Sequence, residues 1–201
     1  YDKPNVFILM SVFNEEIKLS SAIKSILNQT YPLWNLIIIN DGCSDSSQNL
    51  IDYYINEDKR ISCIINPKNQ GLAYSLNKGI SCTYSRYIAR MDADDFSHPQ
   101  RLEKQIAYLE LHPEVDVLGT AANVTTPGSS IKNIVLKPTS HAEILESIEM
   151  KNPFFHSSVV MRKSFIDKLD GYDEKFFRAQ DYDLWLRGVD NSIYHNLSDP
   201  L

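Results

Sequence analysis

The order of apolar and amphipathic segments predicts an α/β fold built on an open parallel sheet, and three observations carry that prediction. Short β-rich runs alternate with helical stretches through the first half of the chain. Each run is followed by a cluster rich in carboxylates, amides and hydroxyls: Ser11–Glu16, Asn40–Asp45, Asn66–Gly71 and Asp92–Asp95. Ligands of such sheets sit outside the carboxyl ends of the strands, where those clusters fall. The second half loses the alternation and is less regular.

Val6–Met10 is uniformly apolar, as a strand buried on both faces requires. Glu15 to Asn28 reads as a helix, because Ile17, Leu19, Ala22, Ile23, Ile26 and Leu27 recur close to a 3.6-residue period. Asn14 can serve as its N-cap, with acids in the first turn, and Thr30-Tyr-Pro-Leu breaks it. Leu36–Ile39 is the second strand, closed by Asn40-Asp-Gly, and Ser44 or Asp45 caps a helix running to about Ile55. Ile61–Ile65 is the third strand, Leu72–Ile80 a helix, and Tyr87–Met91 a fourth strand leading into Asp92-Ala-Asp-Asp. Right-handed crossovers join these strands.

Beyond them, Pro99–Leu111 is a helix with Pro99 in its first turn and Leu102, Ile106 and Leu109 on one face. Val115–Gly119 is a strand, and Thr126-Pro-Gly-Ser-Ser a hairpin turn before Ile131–Leu136. Ser140 caps a helix reaching Met150, with Glu143 completing a capping box. Ser157–Met161 is a further strand and Asp181–Val189 a helix. The chain starts at Tyr1 without Met or a signal-like segment, and stops at Asp199-Pro-Leu without a helix end. It therefore reads as a fragment cut inside or just after its domain.

With 201 residues, 43% hydrophobic and 23% charged, the chain has the composition of one globular domain, not of a disordered or collagenous one. A net charge of −6 makes it a poor binder of phosphate backbones, which argues against a nucleic-acid partner. Its apolar runs fall far short of the roughly 20 residues of a membrane span. Three cysteines without close spacing point to a reducing compartment and against a disulfide framework or thiolate metal site.

Asp92-Ala-Asp-Asp carries the sharpest chemical signal. Residues i and i+2 of an extended segment point the same way, so Asp92 and Asp94 share a face. A lone D-x-D is better explained by an acidic surface turn. Placed directly after a strand of a parallel sheet, it points instead to a divalent cation, Mg²⁺ or Mn²⁺, that keeps waters and takes further oxygen ligands from phosphates. Asp41 either accepts hydrogen bonds from a base edge or forms an Asx-turn. Ser11-Val-Phe-Asn-Glu-Glu offers Phe13 as an aromatic face for a base and Asn14 as a combined donor and acceptor, with Glu15 on the same wall. Asp181 and Asp183 begin a helix, where acids suit the dipole or act as a general base. His156, between Phe155 and Ser157, is either a polar group on a buried rim, facing the donor or acceptor sugar, or a satisfied core histidine. No Walker or G-x-G-x-x-G pattern is present.

In order, Ser11-Val-Phe-Asn-Glu-Glu, Ile39-Asn-Asp-Gly-Cys-Ser-Asp, Asn69-Gln-Gly-Leu-Ala, Arg90-Met-Asp-Ala-Asp-Asp, Asn152-Pro-Phe-Phe-His, Gly171-Tyr-Asp and Ala179-Gln-Asp-Tyr-Asp-Leu-Trp-Leu-Arg resemble the family 2 glycosyltransferases of bacterial surface-polysaccharide synthesis. That resemblance implies the GT-A fold: a Rossmann-like, mostly parallel central sheet flanked by helices, with a smaller mixed acceptor-side region. It implies one domain, residues 1–98 forming the nucleotide-binding half and 99–201 the acceptor-side half. It further implies metal-dependent, inverting transfer of a sugar from a nucleotide sugar, usually UDP-linked, to a glycan or lipid-linked saccharide. By the same likeness Ser11, Phe13 and Asp41 hold the base and ribose, Asn69 and Gly71 line the nucleotide site, and Asp92 lies near the ribose and metal. Asp94 is the principal metal ligand, Asp95 faces the donor sugar or acceptor, and Asp181 matches the general base. The resemblance also places the protein in the cytoplasm, associated with the inner membrane face. Leu76-Asn77, where many relatives carry Arg-Asn, and Gln180, where Glu is common, depart from the pattern. A sugar-phosphate nucleotidyltransferase and a non-catalytic nucleotide-sugar binding module are the competing readings.

Overall fold

The structure, a computed structural model, describes residues 5–125 and 132–201. Four parallel strands make its first half: β1 (Val6–Val12), β2 (Trp34–Asn40), β3 (Ile61–Ile65) and β4 (Tyr87–Arg90). Helices α1 (Leu19–Leu27), α2 (Ser47–Glu57) and α3 (Leu72–Ser81) join them, and α4 (Arg101–Leu111) follows β4. The second half contains β5 (Val115–Thr125), β6 (Lys132–Val135), α5 (His141–Ile148), β7 (Val160–Arg162), α6 (Lys163–Lys168), α7 (Gln180–Gly188) and β8 (Ile193–Pro200).

The sheet runs β3-β2-β1-β4-β7-β5-β6, with β8 also paired to β5. Strands β3, β2, β1 and β4 are mutually parallel, whereas β7 is antiparallel to both β4 and β5, and β8 is parallel to β5. The result is the expected α/β class with a mixed second half. Val6, Ile8, Met10 and Val12 pack with α1 and α4 on one face. Phe7 and Leu9 meet Ala73, Leu76 and Ile80 of α3 on the other, which is why β1 is apolar at nearly every position. From β1 the chain winds outward to β2 and β3, then returns across β1 to β4. The crevice of such a sheet opens where that winding reverses, beyond the ends of β1 and β4.

Several boundaries differ from the sequence expectation for identifiable reasons. Helix α1 starts at Leu19, not Glu15, and its N-cap is Lys18. Asn14 is therefore no N-cap: it takes a left-handed φ of 55°. The following backbone N–H groups leave the helix path, Glu15 donating to Ser47 Oγ and Glu16 to Asp45 Oδ2, both at 3.0 Å. Ser46, not Ser44 or Asp45, is the N-cap of α2, while Asp45 Oδ1 accepts from Ser47 N at 3.0 Å. Pro99 precedes α4 instead of lying in its first turn. The Ser140–Glu143 capping box is present, although α5 ends at Ile148. Ser157 belongs to a short 3-10 turn (His156–Ser158), and the strand there is Val160–Arg162. The expected turn over Thr126–Ser130 lies outside the described residues, but β5 and β6 on either side pair antiparallel.

Candidate active site

A pocket of about 220 Å³ lies at the carboxyl ends of the parallel strands. The segment after β1 contributes Ser11, Phe13 and Glu15, the end of β2 contributes Asp41, and the β3–α3 connection contributes Asn69, Gly71 and Leu72. Asp92, Ala93 and Asp94 come from the end of β4. Four separate stretches of sequence thus converge, and the pocket gathers Ser11, Phe13, Glu15, Asp41, Asn69, Gly71, Asp92 and Asp94 from the residues singled out by sequence. Larger hollows of about 430 Å³ beside Asn77 and Arg187, and 480 Å³ beside Lys137 and Glu143, lie away from these strand ends.

Asp41 organises the β3–α3 wall. Its carboxylate is 2% exposed. Oδ1 accepts from Asn66 Nδ2 at 2.8 Å and Gln70 N at 2.9 Å, and Oδ2 accepts from Gly71 N at 2.9 Å. These partners lie far along the chain, so the Asx-turn alternative is corrected: Asp41 ties one loop to another. Gly42 permits the close approach, since at φ +77° a Cβ there would sit 2.4 Å from the backbone carbon of Lys68. Phe13 is half exposed, leaving a ring face open to a planar ligand. Asn14 does not line the pocket; its Oδ1 accepts from Ser44 N at 2.8 Å and braces the β1 segment from behind.

The acidic run after β4 divides by environment. Asp92 is paired with the buried guanidinium of Arg90. Exposed Asp94 reaches Lys18 Nζ at 3.3 Å, a contact worth at most about 1 kcal/mol in water and easily exchanged. Partial burial, with added repulsion from Asp92 and Asp94, raises the pKa of Asp95 above the ordinary carboxylate value. Asp95 is not part of the pocket lining. Beneath the run, Arg101 Nη2 donates to Arg90 O at 2.8 Å and anchors the end of β4 to α4. Burial, and then the neighbouring charge of Arg90, push the Arg101 pKa down to about 10.

Among the described residues no three His, Cys, Asp or Glu side chains form a preformed metal cage. Asp92 and Asp94 nevertheless present two hard oxygen donors to one pocket. That donor set fits Mg²⁺ or Mn²⁺, which bind through one or two carboxylates, several waters and substrate phosphates.

Asp181 and His156 lie outside the pocket. Asp181 stands in the first turn of α7, with Oδ2 accepting from Asn152 Nδ2 at 2.6 Å. Asp183 instead binds Arg187 at 2.8 Å, and Arg187 secures the carbonyls of Leu169 and Gly171. His156 Nε2 lies 2.9 Å from the hydroxyl of Tyr172, so its ring is a satisfied, largely buried group. Burial first, and Arg90 second, hold its pKa well below 6.5. An unfolded chain therefore takes up this proton before the folded one does. Stability should fall as pH drops below about 6.5, with a slope for this group of at most about 1.4 kcal/mol per pH unit. Urea melts at pH 7, 6 and 5 should show the loss, and His156→Gln should flatten it; parallel curves for the two proteins would refute the assignment.

Sequence reasoning gave no role to Arg90, Lys18 or Asn152, although Arg90 and Asn152 open two of the segments that carry the resemblance. Arg90 also left a physical signal, as a cation at the end of an apolar strand just before the acidic run. Asn77 turns out to be a brace for the Gly171–Tyr172 loop: its Nδ2 donates to Tyr172 O and its Oδ1 accepts from Tyr172 N, both at 2.8 Å.

Among the described residues, no helix is long and apolar enough to cross a membrane. In overall shape the chain matches S. aureus TarS 1-349 with a TM-score of 0.81 at 16% identity, over 97% of this chain and 58% of that one. A mannosyltransferase from Pyrobaculum calidifontis, solved with GDP-Man and Mn²⁺, matches with a TM-score of 0.71 at 15% identity, over 99% of this chain and 55% of that one. The O-antigen biosynthesis glycosyltransferase WbnJ of Escherichia coli is 36% identical over 203 residues, 98% of this chain and 77% of its own length. An uncharacterized glycosyltransferase of Methanocaldococcus jannaschii, MJ1057, is 35% identical over 193 residues, 94% of this chain and 66% of its own length. The chain thus spans about two thirds of that relative and little more than half of the TarS chain. The description "Glycosyl transferase family 2" matches residues 7–169, and with these relatives it shows that the chain belongs to glycosyltransferase family 2.

Proposed function

We propose that this chain is the catalytic domain of an inverting glycosyltransferase that moves a sugar from a UDP-sugar to a hydroxyl of a glycan or lipid-linked saccharide. Residues 1–98 supply the nucleotide side and 99–201 the acceptor side. The observation that carries the reading is the single pocket into which the ends of β1, β2 and β4 and the start of α3 deliver an aromatic face, an amide and four carboxylates. Support for the donor and the pathway comes from relatives: TarS has been solved in complex with UDP, and WbnJ is named for O-antigen biosynthesis. An acceptor of that kind is presented at the inner face of the cell membrane.

In this scheme Phe13 stacks on the base, and Asp41 with Asn69 and Gly71 bounds the nucleoside. Asp92 and Asp94 hold the Mg²⁺ or Mn²⁺ ion, which when bound offsets charge on the leaving diphosphate. Asp181 takes the proton of the acceptor hydroxyl. The freed oxygen pair forms the new bond at the anomeric carbon, and the bond to UDP breaks on the opposite side with its electron pair. No enzyme nucleophile is required, and the base lies apart from the nucleotide pocket, as displacement from the opposite face demands.

Release of UDP from one member of a UDP-sugar panel, in the presence of Mn²⁺ and an acceptor extract, is the direct test. A chelator or Asp94→Ala should reduce that release by about 10²–10³-fold, the cost of removing a charge clamp on a departing group. Titration calorimetry should show weaker UDP binding in both cases with the fold intact, since among the described residues the Asp94 carboxylate's hydrogen bond is to an exposed lysine. Release unaffected by either treatment overturns the metal assignment. Pyrophosphate release from a nucleoside triphosphate and a sugar phosphate would establish a nucleotidyltransferase, and tight UDP binding without turnover a binding module.

A further inference from the structure

Asn152 is held more tightly than a loop residue needs to be. Its Oδ1 accepts from Phe154 N at 3.1 Å, and its backbone carbonyl accepts from Lys137 Nζ at 2.8 Å. The next carbonyl, of Pro153, accepts at 3.1 Å from Asn196 Nδ2, a side chain on β8 in a residue only 1% exposed. The same Asn196 amide donates to Pro138 O at 2.7 Å, binding the Lys137 segment and the Asn152 segment together. Lys137 also lies 4.6 Å above the ring of Phe155. With Oδ1 committed to an N–H group, the amide of Asn152 can present only its Nδ2 donor in the other direction. That donor meets Asp181 Oδ2 at 2.6 Å, a charge-assisted distance. Among the described residues Asp181 Oδ1 has no hydrogen-bond partner.

We infer that Asn152 is the positioning residue of Asp181: it occupies Oδ2 and turns Oδ1 toward the hydroxyl that loses its proton. The inference rests on the reading of Asp181 as the base. Its logic is that of any second shell, in which a donor pinned elsewhere fixes the orientation of a reacting group. Lys137 and Asn196 belong to the same device one step further out, since they hold the backbone from which the amide projects.

Two variants decide the matter by their order. Asn152→Asp is nearly isosteric and keeps an acceptor for Phe154 N–H, but replaces the donor with a carboxylate facing Asp181. Asn152→Ala loses both bonds without adding charge. A positioning role predicts that kcat falls in the order wild type, Asn152→Ala, Asn152→Asp. The Asp variant should lose on the order of 10²-fold, with the KM for the UDP-sugar unchanged. A purely structural turn predicts the reverse order, with Asn152→Asp close to wild type, and that result overturns the inference. Should Asp181→Asn transfer sugar at the wild-type rate, the base assignment itself fails, and the two failures are told apart. Independently of turnover, the side-chain amide resonances of Asn152 should move on Asp181→Asn in the unliganded protein; resonances that stay in place overturn the contact.

Discussion

Asp181→Asn should lower sugar transfer by about 10²–10⁴-fold while UDP binds as it does to the wild type, the range a single general base contributes. In barrier height that is about 3–5 kcal/mol. Selectivity for the chemical step follows from placement. Asp181 rises from the first turn of α7, outside the pocket formed by the ends of β1, β2 and β4. The amide has almost the size of the carboxylate and can still meet Asn152, so little reorganisation is expected. Single-turnover measurements with a UDP-sugar, paired with calorimetric titration of UDP, separate the two effects. A turnover within threefold of wild type, or a parallel loss of UDP affinity, would remove Asp181 from the base role.

Asp41→Ala should unfold the protein at a distinctly lower temperature and also abolish nucleotide binding. The buried carboxylate takes three hydrogen bonds, from Asn66 Nδ2 and the N–H groups of Gln70 and Gly71. Truncation leaves each donor to find water or go unpaired, at about 1–3 kcal/mol for each one that stays buried. Because Gln70 is exposed and Gly71 half-buried, a total near 3 kcal/mol is expected, a large share of the 5–15 kcal/mol that keeps a domain folded. For a chain of this size that corresponds to a fall in Tm of roughly 6–12 °C. Calorimetry with and without UDP and Mn²⁺ checks both parts. A Tm within 2 °C of wild type would mean that the loop is held by something other than this carboxylate.

Much of this architecture was legible in the amino-acid order, and the reasons differ by element. Strands β1 to β4 announce themselves because a parallel strand covered on both faces must be apolar throughout, as Leu36–Ile39 is. The pocket residues were visible because parallel topology forces the ends of those strands together, so polar clusters remote in sequence become neighbours in space. Other features depend on partners that no local pattern encodes. The start of α1 moved to Leu19 because the N–H groups of Glu15 and Glu16 bond across to Ser47 and Asp45. Strand β8 escaped notice because one of its buried positions is Asn196, whose amide fits the core only through the carbonyls of Pro138 and Pro153. The six-residue α6 is too short to display a helical period. Arg90 and Asn152 gained their importance only when the fold set them against Asp92 and Asp181.

The parallel pairing of β8 with β5 bears on the order in which the molecule matures. Strands β1 to β4 have all their mutual partners once the chain has passed Arg90. Strand β5, by contrast, waits for a partner whose register joins Val115 to Ile193 and Gly119 to Asn196. Until β8 docks, the carbonyls of Pro138 and Pro153 have no common anchor, and the segment that carries Asn152 lacks its outer brace. A nascent chain therefore assembles the pocket at the ends of β1 to β4 first, and completes the bracing behind Asp181 only when synthesis has passed Asn196.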